Sequence, residues 1–287
     1  MVAAIGSEPR NGAGQSAVIT EAYRGRCQVR FRFMCGRYAL SKLPDEIIEE
    51  FEITAGLTGA ILPADWNIAP TKDIYIIRDQ PFSGGGAGNK TESGARELAV
   101  VSWGLIAPWS KNSVDAIKSQ SQAINARTET VHEKPTFRNA FRSRRCLIPA
   151  SGYYEWATAL GKYATKQPFY ISSSDPRHRT LAFAGIWDQW IDANGQIHES
   201  ASLITRPAVG FLEEIHHRMP TFLPRSRWND WLEPITKSET HLKELLDIPD
   251  PAYGLQAHPV SPRVNSARNS GVDLIAPIEL GEPETLF

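Results

Sequence analysis

Apolar residues fall along this chain mostly in short runs and alternations bounded by Gly, Pro, Asn and Ser, and few stretches keep a helical period. Gly36 to Ser41 reads as a short strand, and further strands are predicted at Ile74 to Arg78 and Glu97 to Trp103. Arg145 to Ala150 and Tyr153 to Trp156 form two more about a Ser-Gly break. Phe169 to Ser172, Leu181 to Ile191, Ser200 to Thr205 and Gly254 to Val260 follow. Asn194-Gly195 gives the long pair a hairpin turn, because both residues tolerate positive φ. Helices are fewer. Pro44 opens one with Ile47, Ile48 and Phe51 on its apolar face; others are predicted around Phe137 and Phe141, at Phe211 to His216 and near Glu239 to Leu246. Asn67 to Thr71 reads as a turn. Strands with irregularly placed helices between them predict an α+β fold with a mainly antiparallel, barrel-like β core and peripheral helices.

Composition changes this picture little. Of 287 residues, 41% are hydrophobic and eight are Trp, enough for a substantial core. No 18-residue apolar run exists, so no transmembrane helix is predicted. Phe82 to Ala95, with five Gly, reads as a surface insertion and lacks phosphate-loop spacing. The cysteines at 27, 35 and 146 have no CxxC spacing and an odd count, which argues against a disulfide scaffold or a cysteine zinc site and for a reducing compartment. The net charge is −1, yet residues 125 to 146 hold six Lys/Arg against two acids, a local basic face. Residues 1 to 34 carry five Arg against two Glu and no sustained apolar period. They read as an N-terminal extension that is disordered, removed or never translated, with a transit peptide as the alternative. Residues 271 to 287 read as a C-terminal tail.

The chemistry concentrates at Met34-Cys35-Gly36-Arg37-Tyr38. An initiator Met is normally trimmed before a small residue, so a chain begun at Met34 exposes Cys35 as its first residue. Its thiol, ordinarily near 8.5, and its α-amine, at about 7.7 to 8.0, are then both partly deprotonated near neutrality. Such a 1,2-aminothiol can form a Schiff base with an aldehyde and then close the sulfur onto the same carbon, giving a thiazolidine. An internal cysteine cannot.

Other residues carry candidate roles. Trp103 and Trp109 flank a Gly/Pro turn and fit either core anchors or a platform for stacked bases. Asn125 to Thr130 leads into the basic stretch, which reads as a solvated helix face or as guanidinium groups for phosphates. Glu155 lies between aromatic residues, where desolvation raises a carboxyl pKa and suits it to proton transfer; on a solvent-facing strand it would do nothing. His216 and His217 diverge as neighbours, which argues against a shared metal.

Eight ordered blocks carry a resemblance. They are Cys-Gly-Arg-Tyr at 35 to 38, Asn-Ile-Ala-Pro-Thr at 67 to 71, Trp-Gly-Leu-Ile at 103 to 106 and Asn-Ala-Arg-Thr-Glu-Thr at 125 to 130. Arg-Arg-Cys-Leu-Ile-Pro-Ala at 144 to 150, Gly-Tyr-Tyr-Glu-Trp at 152 to 156, Ala-Gly-Ile-Trp at 184 to 187 and His-His-Arg-Met-Pro at 216 to 220 complete them. From Cys35 to about Asn265 the chain resembles the SOS-response-associated peptidase (SRAP) family of abasic-site-processing proteins. Ala107 stands where the family's Trp-Gly-Leu-Ile is usually followed by Pro, and the segment before His216 departs from the usual Thr-x-x-Ala-Asn; neither removes a reactive group.

The resemblance implies a single SRAP domain over residues 35 to 270 that binds single-stranded DNA containing abasic sites and crosslinks to them through N-terminal Cys35, with autoproteolysis uncovering that residue. It implies that Cys35 supplies amine and thiol, Asn125 orients the adduct, Glu155 passes protons and His216 assists the sugar oxygen and crosslink reversal. Arg37 and Arg127 would hold flanking phosphates, with Arg218 a lesser candidate, and Trp103 would stack on or wedge beside a base near the lesion. It further implies a monomer with no metal or organic cofactor, replication-fork proteins as partners, and a nucleoid-associated or nuclear location away from membranes. Two alternatives stay open: an N-terminal-nucleophile glutamine amidotransferase, which also begins Met-Cys-Gly, and a Cys/His peptidase acting in trans or a DNA-binding module without chemistry.

Overall fold

A computed structural model describes residues 35–80, 95–158, 163–177, 179–235 and 237–280. The extension up to residue 34, the insertion from Phe82 to Gly94 and the last seven residues lie outside these.

Two β-sheets organise the domain. The first runs β13-β9-β8-β1-β3, comprising β1 (Arg37–Leu40), β3 (Asp65–Ile68), β8 (Gly152–Trp156), β9 (Pro168–Ser173) and β13 (Leu255–Pro259). The second contains β2 (Leu57–Thr58), β4 (Asp73–Asp79), β5 (Arg96–Trp103), β7 (Arg145–Ala150), β10 (Leu181–Ile191), β11 (Ile197–Pro207) and β12 (Arg218–Pro220), with β6 (Asn125–Arg127) paired to β11. Within it, β4, β5, β11, β10 and β7 close into a ring. Four of the pairings are antiparallel, and the closing one, between β5 and β11, is parallel, with Ser102 opposite Ser200 and Trp103 opposite Ala201. Closure leaves no free edge in the ring. The predicted α+β fold with a mainly antiparallel, barrel-like core is therefore what the chain forms, as a single domain.

The small sheet lies over the barrel through aromatic contacts. Tyr38 and Tyr153 are paired across β1 and β8 and so share a face. Tyr38 meets Trp103 and Phe183 edge-on at 5.3 and 6.0 Å between centroids, and Tyr153 meets Phe183 at 6.1 Å. The opposite face of the small sheet presents Ala39, Tyr154 and Tyr170, covered by Val260 and Val264. Residues alternate between faces along a strand. Glu155, two after Tyr153, thus points into the seam between sheet and barrel, whereas Arg37, paired with Tyr154, points outward.

Two glycines are fixed by close approach. A Cβ on Gly104, where φ is +110°, would lie 2.5 Å from the Gln120 carbonyl; one on Gly152 would lie 2.4 Å from the Tyr170 ring. Among the described residues, five helices sit outside the sheets: α1 (Pro44–Glu50), α2 (Ser113–Gln122), α3 (Pro135–Ser143), α4 (Trp228–Leu232) and α5 (Glu239–Leu246). Buried Arg145 joins α3 to α4 by donating to the carbonyls of Phe141, Trp231 and Ile235.

Three expectations need adjusting. The helix expected over Phe211 to His216 is a 3-10 turn, Gly210–Glu214, that ends before His216. Helix α2 was not expected, because only Ala116 and Gln120 are buried on it and its apolar stripe is weak. The segment from 271, expected as the start of a tail, is packed: Leu274 is buried, and the Ile278 N–H donates to the Pro259 carbonyl.

Candidate active site

The start of β1 brings Cys35 to the seam. Because Arg37 pairs with Tyr154 in antiparallel register, Glu155 lies across from Gly36, next to Cys35. The Cys35 backbone N–H donates to Glu155 Oε1 at 2.8 Å. From the barrel side, β6 carries Asn125 in parallel register with Leu203 of β11, and Asn125 Nδ2 donates to the Cys35 carbonyl at 3.3 Å. His216 lies in the turn before β12, with Nδ1 3.7 Å from Glu155 Oε2. That turn is tied to the end of β8 by the Thr158 N–H, which donates to the Ile215 carbonyl at 3.0 Å. Four residues far apart in sequence thus meet where the small sheet crosses the barrel. Cys35 itself has φ of 48°, a left-handed conformation that a non-glycine residue holds only under constraint.

Burial sets the electrostatics. Cys35, Glu155 and His216 are 3%, 2% and 7% exposed, so charge on any of them lacks water. Desolvation pushes the Glu155 carboxyl up to about 8, opposed by hydrogen bonds from the Cys35 thiol and N–H and from the Trp156 N–H. Desolvation also pulls His216 down to about 4, so its imidazole is neutral at pH 7. The Cys35 thiol is held well above its usual range by burial first and by the neighbouring carboxyl second. Near neutrality this leaves a largely protonated carboxylic acid beside a neutral imidazole, a pair able to give and take a proton. The Arg218 main chain brackets His216 Nδ1, with its N–H at 3.1 Å and its carbonyl at 3.2 Å.

The SOS response associated peptidase (SRAP) family model matches residues 34–267, a span that begins one residue before Cys35 and contains all four of these residues. The chain belongs to this family. Among its relatives, the abasic site processing protein YoaM of Bacillus subtilis is 34% identical over 242 residues, covering 84% of this chain and 97% of YoaM. The abasic site processing protein HMCES of Mus musculus is 33% identical over 216 residues, 66% of this chain and 59% of HMCES. A crystal structure of a Bacteroides thetaiotaomicron protein is similar with a TM-score of 0.69 at 25% identity, over 85% of this chain and all of that one.

Within the SRAP domain, Cys35, Asn125, Glu155 and His216 come together. The residues expected to touch DNA divide. Arg127 is exposed at the end of β6. Trp103 is not: it is 1% exposed, its indole N–H donates to the Ile124 carbonyl at 3.0 Å, and it packs on Tyr38. Base stacking is closed to it, while Trp109, in the same turn, is 54% exposed. Arg37 leaves the sheet on the face opposite Glu155 and donates to Asn67 Oδ1 at 2.7 Å and to the Val264 and Asn265 carbonyls at 2.8 and 3.2 Å. Asn67 Nδ2 reaches the Ser266 and Asn269 carbonyls. Arg37 and Asn67 together latch the loop after β13. Arg218 is 6% exposed and bound by Glu129 and Thr205. Sequence reasoning missed Glu129 and Asn67 as actors although both lie in quoted blocks; polarity in those blocks was the available signal.

Among the described residues no helix is long and apolar enough to cross a membrane.

Proposed function

We propose that this SRAP protein processes abasic sites in single-stranded DNA by forming a thiazolidine through Cys35 as its N-terminal residue. The observation that carries the reading is the 2.8 Å contact between the Cys35 main-chain nitrogen and Glu155 Oε1, inside a cluster completed by Asn125 and His216. In a chain that starts at Cys35 this nitrogen is the α-amine, held beside a proton carrier. Glu155 protonates the sugar ring oxygen and takes back the C1′ hydroxyl proton as the abasic site opens to its aldehyde. The amine adds to C1′ and water leaves, giving a Schiff base. The thiol then adds across the C=N bond and nitrogen takes up the thiol proton, so one water is released overall. Asn125 fixes the Cys35 carbonyl and hence the direction of the amine, and His216 exchanges protons with Glu155 during closure and reversal.

The same groups support autoproteolysis. The Cys35 thiol attacks the carbonyl of residue 34, Glu155 protonates the departing nitrogen and regains the thiol proton, and water clears the thioester. DNA approaches over the basic stretch, with exposed Arg127 for phosphate and exposed Trp109 for stacking.

Protein started at Met1 and protein started at Met34 are each weighed intact, incubated with abasic-site single-stranded DNA and run on a denaturing gel. Only chains whose mass begins at Cys35 are expected to shift. If mature Cys35 chains fail to shift, the reading is wrong, and glutaminase and trans-protease assays follow.

A further inference from the structure

His216 is not held in place by its own neighbours alone. Its Nδ1 rests against both main-chain groups of Arg218, so the Arg218 backbone sets the imidazole's distance from Glu155. The Arg218 backbone is held by the pairing of β12 with β11, opposite Pro207, and is braced a second time through its side chain. The guanidinium is gripped by both carboxylate oxygens of Glu129 and by the Thr205 carbonyl at 2.7 Å and hydroxyl at 3.2 Å. Thr205 belongs to β11, its hydroxyl faces the Ala126 carbonyl at 3.4 Å, and the Thr128 N–H donates to its carbonyl at 2.9 Å. Arg218 is therefore a crosspiece that ties β11 and the turn after β6 to the turn that carries His216.

We infer that Glu129, acting through Arg218, is a positioning residue that holds His216 in register with Glu155. This rests on the reading of Glu155 and His216 as proton carriers given above. An exposed ion pair would contribute little. Here the arginine is 6% exposed while the Glu129 side chain is 47% exposed, so removing the carboxylate leaves a buried cation with only the Thr205 oxygens as partners. The guanidinium then turns toward water, and the backbone that brackets His216 keeps the β11 pairing but loses this second brace. Glu129 is ionised throughout the neutral range: partial burial raises its pKa, but the Arg218 hydrogen bond and charge, its own main-chain N–H and the Thr128 hydroxyl together outweigh burial and hold it at about 2.

The test is a double-mutant cycle in the crosslinking form of the protein, measuring crosslink formation, crosslink reversal and noncovalent DNA affinity. Glu129→Gln is expected to slow the His216-dependent step about tenfold, as small misplacements of a reacting group do. DNA affinity should hold or tighten, because an anion has left a DNA-facing surface. In a His216→Ala background the same change should have no further effect on rate. Glu129→Asp, which keeps the charge, should lie closer to the unsubstituted protein than Glu129→Gln. An equal slowing by Glu129→Gln with and without His216, a normal rate in the single variant, or the reverse order of the Asp and Gln variants overturns the inference. If His216→Ala alone reacts and reverses at the normal rate, the preceding functional reading of His216 fails and takes this inference with it.

Discussion

Two buried thiols in this molecule have opposite surroundings. Cys146 lies in the barrel wall on β7, fully buried, where its sulfur would be 2.8 Å from a Cβ on Gly185 and its carbonyl accepts the Trp231 indole N–H. Burial raises its pKa, and the charged group that bears on it is Arg78. Cys35 is 3% exposed and its thiol is likewise raised by burial, yet a carboxyl and an amide reach its main chain, and an imidazole stands beside that carboxyl. Depth does not separate the two. Neighbours able to move protons do, and the seam between two sheets supplies them where a closed barrel wall, with its polar main chain fully paired, cannot.

The largest expected contrast follows directly. Cys35→Ala should abolish covalent capture of abasic DNA while leaving noncovalent binding intact. Cys146→Ala should capture DNA normally and lose about 1 kcal/mol of stability through the cavity it leaves, read by denaturant unfolding. Capture that survives Cys35→Ala would erase the distinction.

Next is Glu155→Gln, which keeps the shape and removes the proton carrier. Crosslink formation should slow by a factor on the order of a hundred or more, with affinity unchanged. The buried acid also predicts a pH signature. Its folded pKa, about 8, lies above the ordinary 4.5, so the folded state binds the proton more tightly and loses stability relative to the unfolded state as pH rises from about 4.5 to about 8. The Gln variant should therefore gain on the unsubstituted protein across that window in thermal melts. His216 works in the other direction: with a folded pKa of about 4 against 6.5, it costs stability as pH falls from about 6.5 to 4, and His216→Ala should flatten that limb.

The smallest effect on chemistry belongs to Arg37. Arg37→Ala should cost about 1–3 kcal/mol through lost hydrogen bonds to the loop after β13, with little change in capture rate. The salt dependence of DNA binding should keep its slope. A slope reduced by about one would return Arg37 to the phosphate backbone.

Much of the architecture was legible because local chemistry and fold agree. Asn194-Gly195 marks the hairpin between β10 and β11, Gly195 having φ of +79°, and Pro44 opens α1. Barrel closure was not legible in detail, since the parallel pairings of β11 with β5 and β6 join segments far apart in sequence, Ser102 with Ser200 and Asn125 with Leu203, without a local signal. Of the site, Cys35, Asn125, Glu155 and His216 could be named from motif blocks, but not their distances. Trp103 and Trp109 show the limit most plainly: two tryptophans six positions apart in one turn, one in the core and one in solvent, a choice made by what packs on the turn. Arg37 and Arg218 teach the same about charge, for their partners are carbonyls and a carboxylate that only tertiary structure brings near.

The most direct test of the central claim is to digest the crosslinked species and weigh the DNA-modified peptide. The account predicts a single adduct on the peptide that begins with Cys35, heavier by the abasic deoxyribose remnant less one water, with no free thiol and no free α-amine at that residue. An adduct on Cys146 or on a lysine, or a Cys35 amine adduct whose thiol still alkylates, would contradict it.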